Sequence, residues 1–140
     1  MKYLFIIAVL IAATVPLTLY PRRSAEPIDE RTLEPQASDA GGVTITVKPQ
    51  ISKSAEFWNF EVTLSTHSVE LNEDLVSTST LIDENGKQYK PLSWQGDPPG
   101  GHHRGGVIRF NSINPPPERI ELQIKNIGGI PLRSFEWSLR

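Results

Sequence analysis

From residue 43 to the end, apolar and polar residues alternate in short runs. Val43, Ile45 and Val47 face one way, with Thr44, Thr46 and Lys48 between them. Trp58, Phe60, Val62 and Leu64 repeat the pattern against Asn59, Glu61, Thr63 and Ser65. Successive side chains of a strand point to opposite faces, so each run predicts a half-buried β-strand. Residues 75–82 are rich in β-branched and hydroxyl side chains and predict a third strand. Asn85-Gly86 predicts a tight hairpin turn, because both residues accept the positive φ angles it needs. Residues 87–94 are the return strand and 106–110 a short one. Pro115-Pro116-Pro117 marks a stiff loop without backbone donors. Ile120, Leu122 and Ile124 alternate, Gly128-Gly129 turns the chain, and Leu132, Phe135, Trp137 and Leu139 close it with a bulge near Ser134.

No segment after residue 20 carries a helical period. Seven short strands in the last 98 residues predict an all-β, immunoglobulin-like antiparallel sandwich, with Trp58, Trp94 and Trp137 as core candidates. Residues 21–42 read as a linker. They hold Pro21, Pro27 and Pro35, eight charged residues and few large apolar ones, too little to offset the entropy of ordering. The domain is therefore expected to span 43–140.

Residues 3–20 contain no charged side chain. As a helix this run spans about 27 Å, close to the hydrocarbon core of a bilayer. Tyr3 and Tyr20 flank it as interfacial aromatics. A small-x-small cleavage site is not evident, and Arg23 stands two positions before Ala25. An uncleaved transmembrane anchor is expected over a removed signal peptide. Lys2 on one side balances Arg22 and Arg23 on the other, so the charge rule decides little. The expected arrangement is a single-pass membrane protein with the β domain outside the cytoplasm.

Charge and cysteine count narrow the function. The net charge is −2, and residues 43–140 hold 10 basic and 11 acidic side chains. No clustered basic face of the kind that binds nucleic acid is expected. The absence of cysteine excludes disulfides, thiolate metal sites and cysteine nucleophiles. The chain has no Gly-x-Ser-x-Gly elbow, His-Glu-x-x-His or phosphate-binding Gly-x-x-x-x-Gly-Lys motif. The expectation is a protein that is not an enzyme. Asp83-Glu84-Asn85-Gly86 lacks the alternating acids of a calcium loop and reads as a turn.

The most distinctive run is Trp94-Gln-Gly-Asp97-Pro-Pro-Gly100-Gly101-His102-His103-Arg104-Gly-Gly106. If successive strands are antiparallel, this loop, His67-Ser68 and the Gly128-Gly129 turn all fall at one end of the sandwich. Imidazoles are common ligands of borderline metals. One reading is thus a Zn²⁺ or Cu²⁺ site built from His67, His102, His103 and Asp97. Neighbouring residues on a strand face opposite ways, which works against His102 and His103 holding one ion. The competing reading is structural: imidazole N–H groups fix the loops, Arg104 pairs with Asp97 or Glu70, and Trp94 stacks on prolines. A small-ligand or protein-partner site is the third. Glu70 to Asp74 reads as a solvated acidic loop.

Together with Leu64-Ser-Thr-His67-Ser-Val-Glu-Leu71 and Phe135-Glu-Trp-Ser-Leu139, the Pro-Pro-Gly-Gly-His-His-Arg string resembles a group of small secreted or membrane-anchored bacterial and archaeal β domains. The likeness covers residues 43–139. It implies a membrane-associated β domain with a signature His loop, and no activity or cofactor comes with it. The expected function is a membrane-anchored, extracytoplasmic binding or interaction module that takes a protein partner. The alternative is an envelope protein that binds Zn or Cu.

Overall fold

The structure is a computed structural model and describes residues 32–140. The apolar run 3–20 and the segment 21–31 lie outside the described residues. Among the described residues, no helix is long and apolar enough to cross a membrane.

Two antiparallel sheets face each other. The first contains β1 (Gln36–Ala40), β2 (Val43–Gln50), β3 (Phe57–Thr66), β6 (Ser93–Gly96) and β7 (His103–Asn111), in the order β1-β2-β3-β7-β6. The second contains β4 (Ser79–Asp83), β5 (Gln88–Tyr89), β8 (Arg119–Ile127) and β9 (Ile130–Ser138), in the order β5-β4-β8-β9. The alternation read from sequence sets the inner faces. Val43, Ile45, Val47, Trp58, Phe60, Val62 and Leu64 are buried against Leu81, Ile120, Leu122, Ile124, Phe135 and Trp137. Phe60 meets Phe110 edge to face at 5.6 Å and Trp137 at 5.9 Å, so one aromatic cluster joins the layers.

Four expectations are corrected. First, the segment read as linker supplies β1. A two-residue Gly41-Gly42 turn pairs Ala40 with Val43 and returns the chain into β2. The charged composition hid a strand of only five residues, Gln36 to Ala40, on the sheet edge.

Second, residues 75–78 form one helical turn, α1 (Leu75–Thr78), before β4 begins. Asp74 caps it by accepting the Val76 amide, and the Ser77 and Thr78 hydroxyls bond back to the Asp74 carbonyl. These local side-chain bonds override the β-branched propensity.

Third, residues 87–94 are not one strand. β5 pairs with β4 in the second sheet, and the chain then crosses at Lys90-Pro91-Leu92 to form β6 in the first. Fourth, β9 has no bulge. Its register against β8 is continuous from Arg119–Ser138 to Ile127–Ile130. Strict alternation therefore buries Arg133 with Phe135 and Trp137 and leaves Leu132 exposed.

The pairings define two ends. Thr66, His103 and both Gly-Gly turns lie at the apex. The chain enters at Thr32 and leaves at Arg140 at the base. At the base, the indole N–H of Trp58 donates to the Ser52 carbonyl at 3.2 Å and that of Trp137 to the Glu34 carbonyl at 2.8 Å. These bonds tie loop backbone to aromatic groups of the core.

Candidate functional site at the apical loops

The apex is built from main-chain groups and two buried arginines. Turns Gly41-Gly42 and Gly128-Gly129 have φ of 58°, 71°, 60° and 71°, the left-handed pair that a two-residue hairpin requires. They also touch each other. A Cβ on Gly41 would enter the Gly128 carbonyl, and one on Gly128 would lie 2.7 Å from Val43 Cγ2.

Arg133, 3 % exposed, rises from β9 into the space beneath both turns. Nη1 donates to the carbonyls of Ser38 and Val43 and to the Ser38 hydroxyl, at 3.0–3.2 Å. Nη2 donates to the carbonyls of Ala40 and Ile127. One guanidinium thus joins β1, β2 and the β8–β9 turn. Burial pushes its pKa below the usual guanidinium value, while the nearby Asp39 charge pulls it back up.

Arg104, 2 % exposed, does the same for the opposite corner. Its Nη1 donates to the carbonyls of Leu71 and Glu73 at 3.1 and 2.8 Å. Its guanidinium lies 5.7 Å from the Trp94 ring centre, within cation–π range. It pairs with neither Asp97 nor Glu70, contrary to expectation. The Asp97 carboxylate accepts from the Gly105 amide at 2.8 Å instead, and the Trp94 indole donates to the Asp97 carbonyl at 2.9 Å. Trp94 rests on a glycine floor rather than on prolines. Gly96 and Gly106 pair across β6 and β7, and a Cβ on either would come within 2.8 Å of Trp94 Cζ2.

The two loops of this corner bind each other through backbone. Leu71 donates to the Gly101 carbonyl at 3.0 Å and accepts from the Gly100 amide at 2.8 Å. Thr66 donates to the His102 carbonyl at 2.9 Å. The stretch 70–74 is therefore pinned by buried Leu71 and by its own carbonyls; Glu70, Asn72 and Asp74 are exposed, whereas Glu73 is half-buried with one carboxylate oxygen out of solvent.

His67, His102 and His103 share this end, as the strand directions imply. All three are exposed. The bonds that fix the loops run through backbone, Arg104 and Asp97, so the imidazoles are not the fasteners expected of them. They are also not gathered with Asp97. Among the described residues, no group of three or more His, Cys, Asp or Glu is placed to hold a metal ion. His103 opens β7 opposite Ser65, one residue before inward-facing Arg104, so its side chain takes the outer face. Asp97 is committed to the Gly105 amide.

Sequence reasoning missed Arg133. The signal was its parity with Phe135 and Trp137 once Ile127 and Ile130 are paired across Gly128-Gly129. Comparison with protein-family models, curated proteins and solved structures finds no match.

Proposed function

We propose that the chain is a membrane-tethered, extracytoplasmic, non-catalytic binding module of immunoglobulin-like type, which presents its apical loops to a protein partner. The strand order supports the type. Counted from β2, the sheets read A-B-E-D and C′-C-F-G, the immunoglobulin arrangement with one added strand in front.

The observation that carries the reading is a division of labour at the apex. Backbone, Arg104 and Arg133 hold the loops, which leaves the side chains of His67, His102 and His103 exposed on a rigid frame. Preorganised loops bind with less ordering cost. The chain enters at the base, so the 11 residues 21–31, at most about 36 Å when extended, lead from the opposite end.

The natural chain has no cysteine, which permits a clean test. His103→Cys in intact cells is expected to react with a membrane-impermeant maleimide. Labelling only after lysis would refute the outward placement. Cross-linking from the apex should capture an envelope protein with the native chain and lose it with His67→Ala/His102→Ala/His103→Ala. An unchanged capture pattern would refute the apical site.

A further inference from the structure

We propose that the cleft at the base binds a small amphipathic carboxylate, an apolar body with a single acid group, and that Arg109 is the residue that reads the acid. The cleft encloses about 350 Å³, the low end of the range for small-molecule sites. Pro49, Ile51 and Phe57 give it an apolar lining, and its polar groups are Lys48, Gln50 and Asn59.

Strand register brings Arg109 to this cleft. Gln50 pairs with Asn59 and Asn59 with Arg109, so the three side chains form one row across β2, β3 and β7. The row lies on the outer face, because the neighbouring Trp58, Phe60, Ile108 and Phe110 are buried inside. Two contacts fix the guanidinium. It lies 5.3 Å from the ring centre of Phe57, within cation–π range, and its Nε donates to Asn59 Oδ1 at 3.2 Å. Both anchors are themselves walls of the cleft. Among the described residues, no carboxylate is within ion-pair distance of Arg109, and no hydrogen bond uses its Nη1 or Nη2.

This chemistry selects the ligand. A guanidinium held at Nε and stacked on a ring presents its remaining N–H groups as a planar fork, which matches a carboxylate and has little freedom left to lose on binding. Lys48 adds positive charge from β2. Glu61 stands opposite Lys48 and accepts from Gln50 at 3.4 Å, so a doubly charged phosphate would meet repulsion where a single carboxylate meets less. An apolar body seated in the cleft takes half-buried Ile51 and Phe57 out of water, which is favourable. None of this depends on what binds the apex.

The test uses the full chain in nanodiscs of zwitterionic lipid, with equilibrium dialysis against phenylpropionate and empty discs as the blank. Saturable binding of one equivalent is expected. Phenylpropanamide keeps the body without the charge, and acetate keeps the charge without the body; each should bind about tenfold more weakly or worse. Arg109→Gln should lose a similar factor. Asn59→Asp keeps an anchor for Arg109 Nε but sets a competing carboxylate beside the fork, so it should weaken binding as much while circular dichroism shows the native fold. Arg119→Gln, on the second sheet, should bind as the native chain does. Absence of saturable phenylpropionate binding below about 1 mM overturns the proposal, as does equal binding of the amide. Native affinity in Arg109→Gln or in Asn59→Asp, or a loss in Arg119→Gln as large as in Arg109→Gln, overturns it too.

Discussion

Arg133 is the residue whose loss should cost most for its size. Arg133→Met keeps most of the aliphatic stem and removes the guanidinium. Five hydrogen bonds disappear, four of them to carbonyls, and those of Val43 and Ile127 are bonded at buried positions. Bonds to a charged group are each worth about 1.5–3 kcal/mol net, but they share one donor group and do not add. Methionine also recovers the desolvation cost of a buried cation, several kcal/mol in other proteins. The balance is a loss of about 3 kcal/mol, within the range for breaking a buried charged network. Arg133→Lys keeps the charge but presents three donors on one atom, which cannot fork to carbonyls on both turns. It should lose about 2 kcal/mol. Urea unfolding of residues 32–140 reads both. With a slope near 1.5 kcal/mol/M, Arg133→Met lowers the midpoint by about 2 M. Exchange of the Ala40 to Val43 amides should rise toward the global rate. A midpoint shift under about 0.3 M, with the slope unchanged, would refute the bracing role.

The remaining expectations can be checked on the same domain. A chain begun at Val43 loses β1 and, with it, the Ser38 and Ala40 carbonyls that Arg133 needs and the Glu34 carbonyl that Trp137 needs; it should be mostly unfolded by circular dichroism at 37 °C, and a native-like melt would refute the assignment of β1 to the domain. His67→Ala, His102→Ala and His103→Ala should each change stability by less than about 0.5 kcal/mol, as exposed substitutions do, and a loss near 2 kcal/mol in calorimetry would restore a fastening role. Gly106→Ala places a Cβ 2.6 Å from the Gln95 carbonyl oxygen and 2.7 Å from Trp94 Cζ2; about 2–3 kcal/mol should be lost, in the range of overpacking, with a shift of Trp94 fluorescence. The Asp83 carboxyl is raised by desolvation, but bonds from the Lys87 amide, the Tyr89 hydroxyl and the Asn85 amide, with the Lys87 charge, bring it below its usual value. A depressed folded pKa means stability present above the unfolded value and lost as pH falls through the folded one. Asp83→Asn should therefore flatten the acid limb of stability below about pH 4, and an unchanged limb would refute that contribution.

Strand positions were legible because burial on one face writes a period of two into the sequence. Trp58, Phe60, Val62 and Leu64 could not be read otherwise. Direction was legible too: counting hairpins placed His67, His102 and the Gly128-Gly129 turn at one end. What escaped was every place where polar groups sit inside. Arg104 and Arg133 look like surface charges until their carbonyl partners are known, and most of those partners lie 31–33 positions away for Arg104 and 90–95 for Arg133. β1 escaped because Gln36, Ser38 and Asp39 carry no apolar signal. Gly105 read as loop and Gly106 as the first residue of a short strand, but nothing in the sequence showed that Gly106 is the floor under Trp94. The histidines were overread, since a rare composition says where a loop is and not which of its atoms hold it.

The placement of β1 also decides how the domain answers a pull. A force applied at Thr32 and resisted at the apex runs along β1, whose bonds to β2 lie across the strand. Those bonds are sheared together rather than peeled one at a time. The guanidinium of Arg133 grips the far end of the same strand. A pull between Thr32 and the apex is thus taken in shear by an edge strand, and the same guanidinium that clamps that strand passes the load to both apical turns.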